Sequence, residues 1–154
     1  MKKLFITLLI VVGFTLTTQA QFGVKAGIDF ATAKAKGFSS ESETGFFVGV
    51  FTSFELSDKV KLQPELLYVD IKDLELLSLP VLAKFSVAES FNLLVGPSLN
   101  YFLDADDEEF QLNLEFGASY DIANQFELNA KYTYMLKDDW RLNGFFVGLG
   151  YRFN

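Results

Sequence analysis

The sequence predicts an all-β protein, an eight-stranded antiparallel up-and-down transmembrane β-barrel that follows a cleaved signal peptide. Three observations lead to this fold class. The first twenty residues have the pattern of an export signal, eight later segments alternate between apolar and polar residues, and the polar side of these segments carries charges. Because side chains of a strand alternate between its two faces, each segment has one apolar and one polar face.

The export signal is predicted over residues 1–20. Lys2 and Lys3 form a basic start, residues 4–16 are mostly apolar, and Ala20 supplies a small residue at the expected cleavage point. Residues 21–154 are expected to form one domain, since no linker-like segment interrupts them. They contain no apolar run near the ~20 residues that a membrane-spanning helix needs.

Composition excludes several functional classes. Without Lys2 and Lys3 the chain keeps 11 basic and 20 acidic residues, a formal charge of −9, which disfavours nucleic acid as a partner. The chain has no cysteine, which rules out a disulfide scaffold and a thiol nucleophile. It also has no histidine, the most frequent general base of enzymes. We therefore expect no enzymatic activity.

The longest uninterrupted alternation runs from Phe110 to Ile122, with apolar residues at even positions and polar residues or glycine at odd positions. A helix would mix these two sets, because its period is 3.6 residues. Seven further strands are predicted in the same way: Phe22–Phe30, Gly45–Phe54, Val60–Val69, Leu74–Phe85, Phe91–Phe102, Phe126–Leu136 and Gly144–Phe153.

The polar faces carry nine charged residues, which the sequence predicts to point into the barrel. They are Lys25 and Asp29 in the first strand, Lys61 and Glu65 in the third, Lys84 in the fourth, Glu115 in the sixth, Glu127 and Lys131 in the seventh, and Arg152 in the eighth. The facing of the second strand is ambiguous. Phe46, Val48 and Val50 are the favoured outward set, but Phe47 and Phe51 are apolar as well.

The connections between the strands are predicted to alternate between long and short. Polar loops follow strands one, three, five and seven, among them residues 31–44, the acidic tract 104–109 and residues 137–143, whereas tight turns follow strands two, four and six. An even strand number, short turns at one end and longer loops at the other are typical of bacterial outer-membrane barrels.

Charge on the polar face decides between two barrel classes. A soluble lipocalin-type barrel also has eight strands, but it would have to bury five cations and four anions where its apolar core belongs. A membrane barrel turns the apolar face to lipid and keeps the polar face inside. The sequence therefore favours the outer membrane of a Gram-negative envelope. Pro64, Pro80 and Pro97 fall within predicted strands, and we expect bulges or strand ends there.

Five segments, QFGVKAGIDFA, LQPELLYV, LSLPVLAKF, LLVGPSLNYFL and GFFVGLGYRFN, resemble the PorT-type outer-membrane β-barrel domain family. These are small eight-stranded barrels related in shape to OmpA and OmpX. The resemblance covers the whole of residues 21–154. It implies the same fold, strands that tolerate the three prolines, and a link to secretion machinery that the family name suggests.

Three features of the sequence could form functional sites, but each has a simpler structural interpretation. Glu115 with Glu127 or Asp121 could form an acid–base pair, but inward carboxylates paired with inward cations are the more economical interpretation. The acidic tract 104–109 could bind calcium, yet it lacks the spacing of an EF-hand loop, and a solvated loop is the simpler interpretation. Glycines inside the strands form no phosphate cradle and are expected to make room in a narrow lumen or to bend the wall.

The sequence is compatible with two functions. The first is a structural or interaction role through the outer loops, with lipid, the barrel-assembly machinery and a possible envelope or extracellular protein as partners. The second is transport, as a narrow pore or as a component of a secretion system. We expect a monomer with no cofactor, no metal and no nucleic acid, and an interior of eight strands that side chains just fill.

Overall fold

The computed structural model describes residues 2–7, 20–35, 41–71, 74–103, 110–136 and 140–153. Eight strands form one closed antiparallel barrel, in chain order around the ring. They are β1 (Gln21–Ala35), β2 (Glu41–Glu55), β3 (Val60–Ile71), β4 (Leu74–Ala88), β5 (Phe91–Phe102), β6 (Phe110–Asp121), β7 (Phe126–Met135) and β8 (Trp140–Arg152). Residues 2–7 are helical.

The barrel closes where the first strand meets the last. β1 pairs with β8 from Gly23 opposite Arg152 to Ala35 opposite Trp140. The two ends of the barrel domain therefore lie at the same end of the barrel, which we call the terminal end, and the opposite end is the outer end. The predicted fold class of a closed eight-stranded up-and-down barrel is confirmed.

The faces of β6 show which side of the sheet meets lipid. Leu112, Leu114 and Phe116 are exposed on the outside, whereas Asn113 and Glu115 are buried in the interior. The polar face therefore lines the lumen, as a membrane barrel requires and a soluble barrel does not. No helix in the described part of the chain is long and apolar enough to cross a membrane.

The facing of β2, which the sequence left ambiguous, is resolved. Phe46, Val48 and Val50 are exposed, whereas Phe47 and Phe51 are buried inside. The favoured outward set was therefore correct, and two phenylalanine rings of β2 point into the lumen.

Two predicted outer loops were wrong in extent. Residues 31–44 were expected to form a long loop, but β1 continues to Ala35 and β2 begins at Glu41, with Thr32 paired to Ser42. Apolar–polar alternation stops there because the outward positions become polar, although the hydrogen-bonded ladder continues. Similarly, β8 begins within the predicted loop 137–143. The acidic tract 104–109 lies outside the described residues.

The prediction of bulges or strand ends at the prolines was also wrong. Each proline lies inside a strand and keeps its cross-strand neighbour on one side only: Pro64 with Val81, Pro80 with Ser98, and Pro97 with Leu114. On its other side the pairing is interrupted and then resumes in the same register. Because proline has no N–H to donate, the ladder opens locally on one edge, and no residue has to be inserted.

Candidate functional site

The lumen is the part of the molecule where the predicted site residues meet. Eight of the nine predicted charges are buried, and Lys61 is half-buried. Buried polar residues continue along the same faces of the strands, including Gln63, Asn92, Asn113 and Ser119. The strands position these groups by alternation alone, since every second side chain of each strand points inward.

Four charges form a first group, which we call the central ion cluster: Lys25, Glu65, Glu115 and Lys131. The Lys131 ammonium donates to Glu65 Oε2 at 2.8 Å and to Glu115 Oε2 at 3.0 Å. Lys25 donates to the other oxygen of Glu65, which also accepts from Gln63 Nε2 at 2.8 Å. Two cations and two carboxylates thus balance within one network.

The central ion cluster spans the barrel. Glu65 lies on β3 and Lys131 lies on β7, so three strands separate them on either side of the ring. The ion pair between them therefore joins opposite walls. Charge-assisted hydrogen bonds of this kind are stronger than neutral ones, provided that every buried charge has a partner.

A second group, the rim ion cluster, lies nearer the terminal end and consists of Lys84, Asp121, Glu127 and Arg152. Arg152 Nη1 donates to Asp121 Oδ1 and to Glu127 Oε2, both at 3.1 Å. Its Nη2 donates to the carbonyl oxygen of Asn124 at 3.2 Å, and Lys84 donates to Glu127. This network links β4, β6, β7 and β8 and is again neutral in total.

Two predicted lumen charges fall outside both clusters. Lys61 is half-buried between its cross-strand neighbours Glu55 and Lys84 and makes no ion pair with any described residue. Asp29 is fully buried and likewise lacks an ion pair within the described part of the chain. Asp121, in contrast, was not among the nine predicted charges and joins the rim ion cluster.

Aromatic rings pack against the central ion cluster. The Lys25 ammonium lies 5.0 Å from the centre of the Phe51 ring, and the Lys131 ammonium lies 5.8 Å from that of Phe146. Cation–π contacts of this length add favourable electrostatic energy. A Cβ at Gly23 would lie 2.5 Å from the Phe51 ring, so the expectation that strand glycines make room in the lumen holds at this position.

Toward the outer end the lumen is apolar, which the sequence interpretation missed. Phe47 and Phe146 meet edge to face with ring centres 5.3 Å apart. The apolar layer consists of Ala31, Phe47, Leu67, Val69, Ile71, Leu76, Phe102, Met135 and Phe146. Alternation could have identified these residues, since Leu67, Val69 and Ile71 continue the inward face of Glu65 in steps of two.

The arrangement of the lumen side chains does not favour the two candidate chemistries, acid–base catalysis and metal binding. Glu115 and Glu127 belong to different clusters, and each is held by cations rather than facing the other as an acid–base pair. Within the described ranges no group of three or more acidic, histidine or cysteine side chains is placed to hold a metal ion. The lumen instead has the features of a packed interior, with ions in one layer and apolar side chains in the next.

Several solved structures have a similar architecture. Ail, the attachment invasion locus protein of Yersinia pestis, is 18% identical, with 88% of this chain and 100% of that chain covered and a TM-score of 0.59. Neisserial surface protein A is 20% identical, covering 87% and 99% of the two chains, with a TM-score of 0.56. A de novo designed transmembrane β-barrel gives a TM-score of 0.61 at 13% identity, covering 88% and 98%.

At these identities the similarities establish the fold alone. Comparison with curated proteins gave no match. The model of the outer membrane protein beta-barrel domain family matches residues 5–153. The chain therefore belongs to the outer membrane protein β-barrel domain family, and it is a small integral protein of the outer membrane with a charged lumen.

Proposed function

We propose that this barrel is an interaction protein, which holds a partner at the cell surface through its outer end. The observation that carries the proposal is the filled lumen. The central ion cluster joins opposite walls, and the apolar layer covers it on the outer side. Because these described residues occupy the lumen, we place the function at the outer ends of the strands and in their connections.

The sheet extends beyond the lipid-facing band at this end. The outward side chains change from the exposed Phe30 and Phe46 to Thr32, Ser42 and Thr44 within two to four residues along each strand. The hydroxyls of Thr32 and Ser42 lie 3.3 Å apart across β1 and β2. A spanning strand needs ~9 to 11 residues, and β1 and β2 each have 15, so the polar ends of these strands project into water.

Charge suggests the chemistry of the partner. The chain has a formal net charge of −7, and five of the six residues 104–109 between β5 and β6 are acidic. A positively charged protein surface is therefore the favoured partner. Ail has been solved in complex with the heparin analogue sucrose octasulfate. A polyanion of that kind would be repelled by the charge of this chain.

The absence of an enzymatic role is part of the proposal. Histidine and cysteine are missing from the sequence, and the buried carboxylates of both ion clusters are neutralised by lysine or arginine. These features disfavour acid–base and nucleophilic catalysis. We further propose that residues 1–20 are removed on export and that the mature barrel is a monomer.

The competing function is a part in secretion, which the resemblance to PorT-type barrels supports. We propose membership of that branch on the five segments quoted above. In this case too the barrel would act by contact with other components, since the lumen is filled. A narrow pore is the least favoured role, because eight strands enclose an interior that side chains just fill.

Site-specific cross-linking in intact cells tests the interaction role. A photoreactive residue at Ser42 or Thr44 should capture one specific protein, because both side chains are exposed at the outer end. The matched control is Ser57, exposed in the turn between β2 and β3 at the terminal end. Capture from Ser57 alone, or no specific product from Ser42 and Thr44, would contradict the proposal.

A further inference from the structure

A small cavity lies in the lumen where the ionic layer meets the apolar layer. Its volume is about 20 Å³, enough for one water molecule or one small ion. Four of its lining residues are polar and come from different strands: Asp29 of β1, Asn100 of β5, Thr133 of β7 and Asn143 of β8. The Asn143 Oδ1 already accepts a hydrogen bond from the Met135 N–H at 3.1 Å, which leaves the first three as candidate ligands. Asp29, Asn100 and Thr133 are 1%, 6% and 3% exposed, respectively, so their side chains are buried inside the barrel.

Each of these three residues has an oxygen without a hydrogen-bond partner. The atoms are Asp29 Oδ1, Asn100 Oδ1 and Thr133 Oγ1, all of them buried. Most buried polar atoms in proteins are satisfied, and leaving one unsatisfied is costly. Three such oxygens around one cavity therefore indicate that an occupant satisfies them.

The charge balance of the lumen indicates which charge the occupant carries. The central ion cluster and the rim ion cluster are each neutral, with two cations and two carboxylates apiece. Asp29 is the remaining buried carboxylate among the described residues. No lysine or arginine in the described part of the chain lies within ion-pair distance of its carboxylate. A buried carboxylate without a partner is strongly unfavourable in its charged form, so Asp29 either takes up a proton or pairs with a bound cation.

We propose that the cavity binds one small monovalent cation, with sodium as the simplest candidate, through oxygens of Asp29, Asn100 and Thr133. Carboxylate, amide carbonyl and hydroxyl oxygens are the ligands that hard cations prefer. One carboxylate balances one positive charge, whereas a divalent ion would leave a net charge beside the apolar layer. The site ties three strands of the barrel together at the boundary between the two layers.

Gly144 on β8 keeps this space open. A Cβ at position 144 would lie 2.8 Å from Asp29 Oδ1 and 3.0 Å from the Phe146 ring. A side chain at this position would therefore block the occupant's access to the free oxygen of Asp29. This provides a second way to remove the site without removing its charge.

The test is the sodium dependence of folding. The full chain is refolded into vesicles of uncharged lipid and unfolded with urea, while sodium chloride replaces N-methylglucammonium chloride at constant ionic strength. If sodium binds the folded barrel alone, the folding equilibrium constant rises by up to about tenfold for each tenfold rise in sodium above the dissociation constant. Asp29→Asn should abolish this rise, and Thr133→Val should weaken it.

Controls keep the result decisive even when one variant fails to fold. Glu55→Gln changes an exposed carboxylate and should keep the full sodium response, whereas Gly144→Ala should lose it with Asp29 still present. If the stability of the wild-type barrel stayed the same when sodium chloride replaced N-methylglucammonium chloride, the proposal would be overturned and the cavity would be assigned to water. A sodium response that persists in Asp29→Asn would overturn it as well.

Discussion

Replacing Glu65 with glutamine should strongly destabilise the barrel, because Glu65 is the hub of the central ion cluster. Its carboxylate accepts from Lys25, Lys131 and Gln63. Glutamine has nearly the same shape as glutamate, but it carries no charge. Its NH₂ group is a hydrogen-bond donor and would face side chains that are donors themselves. Lys131 keeps Glu115, whereas Lys25 loses its ion pair while fully buried.

The expected magnitude follows from that loss. Removing one partner of a buried ion pair costs about 3 to 5 kcal/mol, since it leaves an uncompensated charge. Adding Lys25→Met to Glu65→Gln removes the stranded cation and should restore part of the stability. The coupling energy between the two positions should be about 0.5 to 3 kcal/mol.

Urea unfolding of the barrel in lipid vesicles measures these changes. The matched control is Glu55→Gln, which neutralises an exposed carboxylate at the end of β2 and should change the unfolding free energy by less than about 0.5 kcal/mol. If Glu65→Gln and Glu55→Gln were equally stable, the ion cluster would contribute nothing measurable, and the reasoning would be refuted.

Two further predictions concern the wall and the outer end. Leu114→Arg places a charge on the lipid side of mid-β6 and should cost about 2 to 4 kcal/mol in vesicle refolding, whereas the inward change Asn113→Ser should cost much less; equal effects would show that the facing is wrong. Shortening residues 104–109 to a glycine-containing turn should leave assembly intact, because loop changes cost little when no buried contact is lost; failure to reach the outer membrane would show that this tract is structural.

Much of the fold was predictable because one physical signal, the period-two alternation, governs most of each strand. In β6 the pattern fixed both the strand and its facing, since Glu115 had to avoid lipid. In β2 the pattern was insufficient, because Phe47 fills the lumen and is as apolar as the outward Phe46. Alternation shows which face of a strand is polar, so it cannot assign the facing of a strand where both faces are apolar.

The outer half of the barrel is the part of the fold that the sequence predicted least well. Thr32 and Ser42 lie in paired strands, yet their polarity resembles that of a loop, since the outward face there meets water. Proline positions were misjudged for a different reason. Pro64 keeps its place in the ladder toward β4 and loses it toward β2, an edge-specific defect that the residue type alone does not reveal.

The pairing of the charges depended on geometry that no sequence pattern contains. Lys131 and Glu65 are far apart in the chain and meet because β3 and β7 face each other across the ring. Asp29 lies on the same predicted polar face as Lys25, yet it joins neither cluster. The sequence could place these residues inside the barrel, but only the closed ring determines which of them meet.

Electrical conductance in a planar lipid bilayer tests the filled lumen most directly. The purified wild-type barrel should show no reproducible channel, because the central ion cluster joins opposite walls and the apolar layer with Phe47 and Phe146 covers it. The same preparation must be shown to be folded and inserted. A reproducible ohmic conductance comparable to that of a porin would contradict the filled lumen and make transport the leading function.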